Sequence, residues 1–279
     1  MSGTPTRTHR FHAEATAFHG ELVSPLPQRI PPHAFAKLKP EGGYLSQDSV
    51  DFRLERIITF KSSHTQVSGR VDPKPGHAYA TLATSVVEGL NILEVITADR
   101  IVSQVSTVHY EEGYTPSISF LGTRFENLRI GGEPVDLKLD LGFIGGKPDG
   151  DVHYHDHPGF IDRVKSQYDR FFGVPNPPAA ISRYTKEPVV DGHTQQLEFS
   201  LVKSATCEYP GIIPVGPTII VPDFGAIHLA VVKLHLERQH GDEPPSTTIE
   251  LTMIQANLGC LADGTTNVAV SKTNGSTAP

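Results

Sequence analysis

The sequence predicts a mainly β protein: an antiparallel sheet-on-sheet sandwich, or a barrel-like arrangement, with one inserted amphipathic helix. Many short segments alternate apolar and polar side chains, which is the pattern of strands with one buried face. The 279 residues include 25 Gly and 23 Pro, which are typical of the turns between strands. Only one segment, just after Pro158, repeats apolar side chains at helical spacing. Because a sheet with one apolar face must pack on a second layer, we expect two packed sheets or a closed one.

The first 44 residues are predicted to form a proline-rich extended arm before the β domain. Prolines disfavour helix in its second half, at Pro25, Pro27, Pro31, Pro32 and Pro40. Because Ile30, Phe35 and Leu38 are apolar, we expect the arm to lie across the β domain or a neighbouring subunit. The β domain is expected over residues 45–262, and the small, polar residues 263–279 are expected to be a flexible tail.

Alternation identifies the individual strands in order. Val50, Phe52 and Leu54 are expected to share one face of the first strand of the domain. Residues 101–110 form the clearest half-exposed strand. The most regular strand follows a Gly-Gly turn, and its apolar face is predicted to be Val135, Leu137, Leu139, Leu141 and Phe143.

Residues 147–192 are predicted to be an insertion that contains the helix. Pro158 suits a first helical position, and Gly173 suits a C-cap. The apolar stripe of this helix is expected to face the core and consists of Ile161, Val164, Tyr168, Phe171 and Phe172.

The last two predicted strands, residues 227–237 and 249–260, both change phase. In the first of them, the apolar row of Ile227 and Leu229 continues on shifted positions from Val232 onwards. A change of phase in two neighbouring strands indicates bulges or a strong bend.

The two cysteines, Cys207 and Cys260, are expected to be free thiols. In a simple meander, with one strand between them, the strands that carry them lie about 9.5 Å apart. A disulfide needs Cα atoms within about 7 Å of each other.

The composition argues against binding to nucleic acid and against a membrane span. The formal net charge is −7, and no dense cluster of Lys and Arg offers a surface for phosphates. The most apolar stretch, residues 211–232, is interrupted by prolines and by Asp223, so it cannot be a spanning helix. Residues 1–20 lack the apolar run of a signal peptide. We therefore expect a cytoplasmic protein, or an extracellular or surface protein if a signal sequence was removed or supplied otherwise.

Two common enzyme signatures are missing from the sequence. It contains neither a Gly-x-Ser-x-Gly elbow nor a His-Glu-x-x-His zinc helix. The stretch Gly145-Gly-Lys-Pro148 has Pro where a phosphate loop needs Ser or Thr to bind magnesium. Nucleotide-dependent chemistry is therefore not expected.

The histidine segment, residues 151–157, is the strongest candidate site. Imidazole is the commonest transition-metal ligand, and on an extended chain His153 and His155 point to the same side. Together with His157 and Asp151 they could bind Zn, Fe, Cu or Ni, with His193 as a further candidate ligand. The alternative interpretation is a polar loop whose imidazoles cap the following helix or face water.

A cupin-type enzyme is the specific enzymatic alternative, since cupins place a His-x-His pair on a strand of a β-barrel. The cupin motif also requires a Glu a few residues later. Here the next Glu after the histidine segment is Glu187, and this departure disfavours a cupin.

The stretch Val86–Ser103, followed by Phe125–Gly132, resembles bacterial choice-of-anchor β-rich domains. Those domains carry a similar Gly-Leu…Thr-Ala-Asp segment ahead of a strand and a Leu-x-x-Gly turn. The resemblance covers about residues 78–143. It implies a secreted or surface-displayed protein of uncharacterised role, with no catalytic residues to transfer.

These observations favour a non-catalytic β-rich binding, structural or assembly protein, with a protein partner or self-association expected and no ligand identified. The alternative is a metal-dependent enzyme, of the cupin-like oxygenase or isomerase type, that uses His153, His155 and His157.

Overall fold

The computed structural model describes residues 8–24, 27–55, 57–150, 152–173, 176, 178–238, 245–259 and 263–278. These residues form two antiparallel sheets that pack face to face, with one α-helix, so the predicted sandwich is confirmed and the barrel is not. No helix among them is long and apolar enough to cross a membrane. The elements are β1 (Thr8–Ser24), β2 (Gln28–His33), β3 (Ala36–Lys37), β4 (Gly43–Leu54), β5 (Ile58–Val71), β6 (His77–Ile92), β7 (Ile96–Tyr110), β8 (Ser117–Ser119), β9 (Arg124–Glu126), β10 (Arg129–Ile130), β11 (Glu133–Leu139), α1 (Pro158–Phe172), β12 (Val189–Asp191), β13 (Thr194–Ser200), β14 (Val202–Cys207), β15 (Ile213–Val215), β16 (Thr218–Val221), β17 (Gly225–Glu237), β18 (Ser246–Gly259) and β19 (Asp263–Ala278).

The two sheets have different strand orders. The first sheet runs β12-β13-β17-β18-β19-β1-β2. In addition, β16 pairs with β17, β15 pairs with β16, and β3 pairs with β1. The second sheet runs β14-β11-β10-β7-β6-β5-β4, with β8 and β9 also on β7. Hairpin neighbours dominate both orders, as in most antiparallel sheets.

The first and last described strands, β1 and β19, pair with each other inside the first sheet, which corrects the expected arm and tail. β1 pairs with β19 from Thr8↔Ala278 to Ser24↔Asp263, and β19 also pairs with β18. The prolines that suggested an arm all follow β1 in the sequence. The composition of β19 was misleading because half of the buried residues that the structure describes in it are polar: Thr266, Ser271 and Thr273 are inaccessible to solvent.

Small hydroxyl side chains allow the two sheets to approach each other closely. Ser103 Oγ donates to Leu251 O at 3.4 Å, and Ser271 Oγ donates to Ser103 O at 3.1 Å. Ser85 Oγ donates to Thr16 O at 3.0 Å in the same way. Because these three hydroxyls bond carbonyl groups of the opposite sheet, they are buried without being left unsatisfied.

The predicted change of phase is present and extends across both sheets. Left-handed residues lie in a row on alternate strands, at Ala230 (φ 47°) and Ala269 (φ 51°) in the first sheet and at Asp51 (φ 51°), Gly89 (φ 64°) and Asn127 (φ 52°) in the second. The register of β17 with β18 continues unchanged across this line, so both strands shift phase together. Leu229 before the line and Val232 after it consequently both lie in the core.

The helix forms where it was predicted, but its buried face differs from the predicted stripe. Pro158 is its first residue, and His157 is the N-cap, with Nδ1 accepting from Phe160 N. Val164 and Phe172 are buried as expected, whereas Ile161, Tyr168 and Phe171 are only half-buried. The helix buries Phe160 and Gln167 instead.

Gln167 serves as a partner for the backbone of β13. Its Nε2 donates to Ser200 O at 2.8 Å, and its Oε1 accepts from Ser200 N at 3.0 Å. We expect Gln167→Leu to cost about 2 kcal/mol or more of unfolding free energy, because two buried backbone groups lose their partner. Urea denaturation measures this loss. Ser166→Ala, on the exposed side of the same helix turn, should cost less than about 0.5 kcal/mol, and equal losses would contradict this role of Gln167.

One further expectation is corrected by the structure. Val50 does not share a face with Phe52, because Asp51 between them is left-handed. Val135, Leu137, Leu139 and Leu141 alternate with exposed residues as predicted and are half-buried against the core, whereas Phe143 is buried. Cys207 is a half-buried free thiol, and Cys260 lies outside the described residues.

Candidate functional site

The histidine segment is not an extended strand. His153 precedes a 3-10 turn, Tyr154–Asp156, which contains His155, and His157 joins this turn to α1. Side chains on a turn do not alternate, so the predicted same-side row of imidazoles is wrong. Asp151 lies outside the described residues, and His193 lies in the turn between β12 and β13.

Each of the three imidazoles bonds a different part of the fold. His153 Nδ1 and the Thr115 hydroxyl are 3.2 Å apart, and His155 Nε2 donates to Leu234 O at 3.1 Å. His157 Nδ1 accepts from Phe160 N at 3.2 Å, which is an N-cap bond. The segment therefore anchors the insertion to β17 and starts the helix. His157 thus caps the helix, as expected if the segment were a polar loop whose imidazoles cap the following helix.

The electrostatics of His155 agree with a structural role. Burial lowers the pKa of His155 to about 4, and the hydrogen bond to the Leu234 carbonyl only partly opposes this effect. The ring is therefore neutral at physiological pH. Within the part of the chain that the structure describes, no three His, Cys, Asp or Glu side chains converge as a metal site requires.

An acidic cleft lies beside this segment but is not lined by its imidazoles. The cleft measures about 640 Å³ and lies between the end of β7 and residues 147–150. Its lining includes Glu111, Glu112 and Asp149. Lys147 Nζ donates to the carbonyls of Pro148 and Gly150, at 3.1 and 3.2 Å, and so holds the loop that borders the cleft.

The sheet ends offer a second kind of site, because an edge strand presents unpaired backbone groups to other chains. Three of the four end strands carry features that discourage pairing. β2 contains Pro31 and Pro32, β12 has 3 residues, and β14 has 6 residues with an exposed Lys203. The fourth end strand, β4, is 12 residues long and contains no proline.

Among the strands that the structure describes, none pairs with the outer edge of the segment 44–50 of β4, and this edge carries apolar side chains. β5 pairs with one side of β4 from Gly43↔Gly69 to Leu54↔Ile58, and β4 ends the sheet on its other side. Tyr44 is 63% exposed, Leu45 38% and Val50 71%. The only charged side chain of this segment, Asp48, bonds His64 Nδ1 of β5 at 2.7 Å.

Sequence reasoning missed this edge for an identifiable reason. Val50 and Phe52 are two residues apart, which suggests one buried face, and the left-handed Asp51 cannot be recognised from alternation. A signal was nevertheless present, since residues 44–50 combine a β-rich composition with very low charge and no proline.

A family model described as "Domain of unknown function (DUF8256)" matches residues 9–235 of the chain. No curated protein and no solved structure matches the chain.

Proposed function

We propose that this chain, which belongs to the DUF8256 family, is a non-catalytic assembly protein whose β4 pairs with β4 of a second copy. The supporting observation is the free edge of residues 44–50 at the end of the second sheet. Edge pairing of this kind gains affinity from main-chain hydrogen bonds and specificity from the alternate side chains.

The segment is complementary to itself when two copies run antiparallel about Gln47. In this register Tyr44 of each copy lies opposite Val50 of the other, and Leu45 lies opposite Ser49. Aromatic and β-branched side chains are favourable partners across antiparallel strands. The two Tyr44–Val50 pairs remove from water the most exposed apolar side chains of this edge.

The charge of Asp48 favours the register centred on Gln47 over the register centred one residue later. Shifting the centre from Gln47 to Asp48 would place two Asp48 carboxylates directly opposite each other, which is destabilising. Centred on Gln47, each Asp48 lies opposite Ser46 of the other copy.

A two-fold contact of this kind closes on itself. The same surface is used by both copies, so pairing stops at a dimer. The left-handed Asp51 ends the regular edge directly after the paired segment and limits the contact to residues 44–50.

Sedimentation velocity over a range of concentrations tests the proposal. We expect the wild type to dimerise and Val50→Lys to raise the dimer dissociation constant at least tenfold, because an edge lysine opposes strand pairing. Val71→Lys is the matched control, since Val71 is 67% exposed and lies at the end of β5, outside the paired segment. A wild type that stays monomeric, or a Val50→Lys variant that dimerises as the wild type does, would overturn the proposal.

A further inference from the structure

The second sheet is split between β9 and β11, and the split forms an apolar cleft. The cleft measures about 420 Å³. Its lining combines apolar side chains with a few polar ones at the margin: Thr123, Arg124, Phe125, Asn127, Leu128, Pro134, Val135, Leu137, Leu139 and Leu141. The half-buried row of β11 is thus explained, because its leucines pack against the core and also line this opening.

The pairing of the neighbouring strands shows where the sheet opens. β11 pairs with β10 through Arg129↔Pro134 and Ile130↔Glu133, and Val135 N donates to Leu128 O at 3.0 Å. Beyond this point β11 pairs with β14 and β9 pairs with β7. Among the described residues, no ladder joins β9 to β11.

A single left-handed residue explains why these two strands stay apart. Asn127 has φ 52° and is held by bonds from its Nδ2 to Asp99 Oδ2 (3.1 Å) and from Arg129 Nε to its Oδ1 (3.2 Å). Asn127 shifts the alternation of inward and outward side chains in β9 by one position relative to β10. If the pairing of β10 with β11 continued into β9, the inward-facing Leu137 would therefore lie opposite Glu126. The inward-facing residue of β9 is Phe125, the neighbour of Glu126, so the two strands do not match.

A third strand between β9 and β11 removes this mismatch, because it can pair with each of the two strands in a separate register. We propose that the cleft binds an extended peptide of a partner protein, inserted between β9 and β11, with apolar side chains at every second position facing Leu137 and Leu139. Its backbone would pair with the free edges of both strands, which an acyl chain or another purely apolar ligand cannot do.

The charges outside the cleft define the other face of the peptide. Asp136, Lys138 and Asp140 alternate with the leucines and are exposed. The side chains of the peptide that point outward are therefore polar. The ligand is an amphipathic segment of about five residues, matching the β11 stretch from Val135 to Leu139.

The experiment begins with selection from a phage library of random dodecapeptides on the full chain. We expect enriched peptides with aliphatic residues at positions i, i+2 and i+4 and no internal proline. Fluorescence anisotropy then compares binding of one enriched peptide to Leu137→Lys and to Lys138→Ala, its outward neighbour. Leu137→Lys should weaken binding at least tenfold, and Lys138→Ala less than threefold.

A second measurement uses only the wild type, so it does not depend on whether Leu137→Lys folds. The same peptide, N-methylated at alternate residues, keeps its side chains but loses backbone donors, and we expect its affinity to fall at least tenfold. Absence of an enriched pattern, unchanged binding of the N-methylated peptide, or equal binding to a folded Leu137→Lys would overturn the inference. Because β11 and β4 lie far apart in the strand order, these outcomes are independent of dimerisation.

Discussion

Acidification from pH 7 to pH 4 is expected to unfold this protein, because four buried imidazoles remain neutral in the folded state. Burial lowers the pKa of His9 and of His155 to about 4, and the pKa of His109 and of His228 to about 3. His9 and His109 lie side by side, with ring centroids 4.7 Å apart, so protonation of one further opposes protonation of the other.

The direction of the effect follows from the unfolded state. An exposed imidazole has a pKa of about 6.5, so below this pH the unfolded chain binds protons that the folded chain rejects. The stabilisation is complete above about pH 6.5 and is lost as the pH falls towards the folded pKa values. Between pH 6.5 and 4 each of these histidines loses roughly 3 kcal/mol of stabilisation at about 1.36 kcal/mol per pH unit, and the sum of about 12 kcal/mol falls within the usual 5–15 kcal/mol stability of a domain.

Urea denaturation at pH 7, 6, 5 and 4 measures this loss. The midpoint should fall steadily between pH 6.5 and 4, a window above that of most carboxyl groups. His109→Gln should reduce the slope of stability against pH, because it removes an imidazole whose pKa burial lowers to about 3. A midpoint independent of pH across this range would show that the buried imidazoles do not govern acid stability.

Phe199→Ala is expected to cost about 3–5 kcal/mol of unfolding free energy, the loss typical of a large buried aromatic side chain. Phe199 is 1% exposed on β13 and stacks on Phe143, with centroids 5.0 Å apart. It also contacts Phe160 of α1 edge-to-face at 5.5 Å. The substitution therefore loosens the helix and the sheet together.

Thermal or urea unfolding of Phe199→Ala and Phe35→Ala tests this expected loss of stability. Phe35 is 41% exposed, and its truncation should cost less than about 1 kcal/mol. Comparable losses for the two variants would mean that the aromatic contacts around Phe199 do not hold the insertion on the sheet.

The fold class could be predicted because strand alternation and helical spacing are local properties of the chain. Pro158 identified the first residue of the helix, and the row of Ile227 and Leu229 identified the bend. The first and last strands could not be identified in this way. Three of the six buried residues that the structure describes in β19 are polar, and one of them, Ser271, bonds a carbonyl of the opposite sheet that alternation does not reveal.

The candidate sites depended still more on tertiary structure. His153 and His155 would share a side only on an extended chain, and the 3-10 turn that separates them is stabilised by contacts with Thr115 and Leu234. Likewise, Leu137 and Leu139 have the pattern of a core strand. They line a cleft only because Asn127, in another strand, adopts a left-handed conformation.

Sedimentation velocity of two complementary variants tests the proposed assembly most directly. Tyr44→Lys and Val50→Glu should each weaken dimerisation when studied alone, because each leaves a charge opposite an apolar side chain at both ends of the contact. In an equimolar mixture, one ammonium faces one carboxylate and one Tyr44–Val50 pair remains, so a species of twice the 30.3 kDa chain mass should reappear. A mixture that remains monomeric at concentrations where the wild type dimerises would contradict pairing of β4 about Gln47.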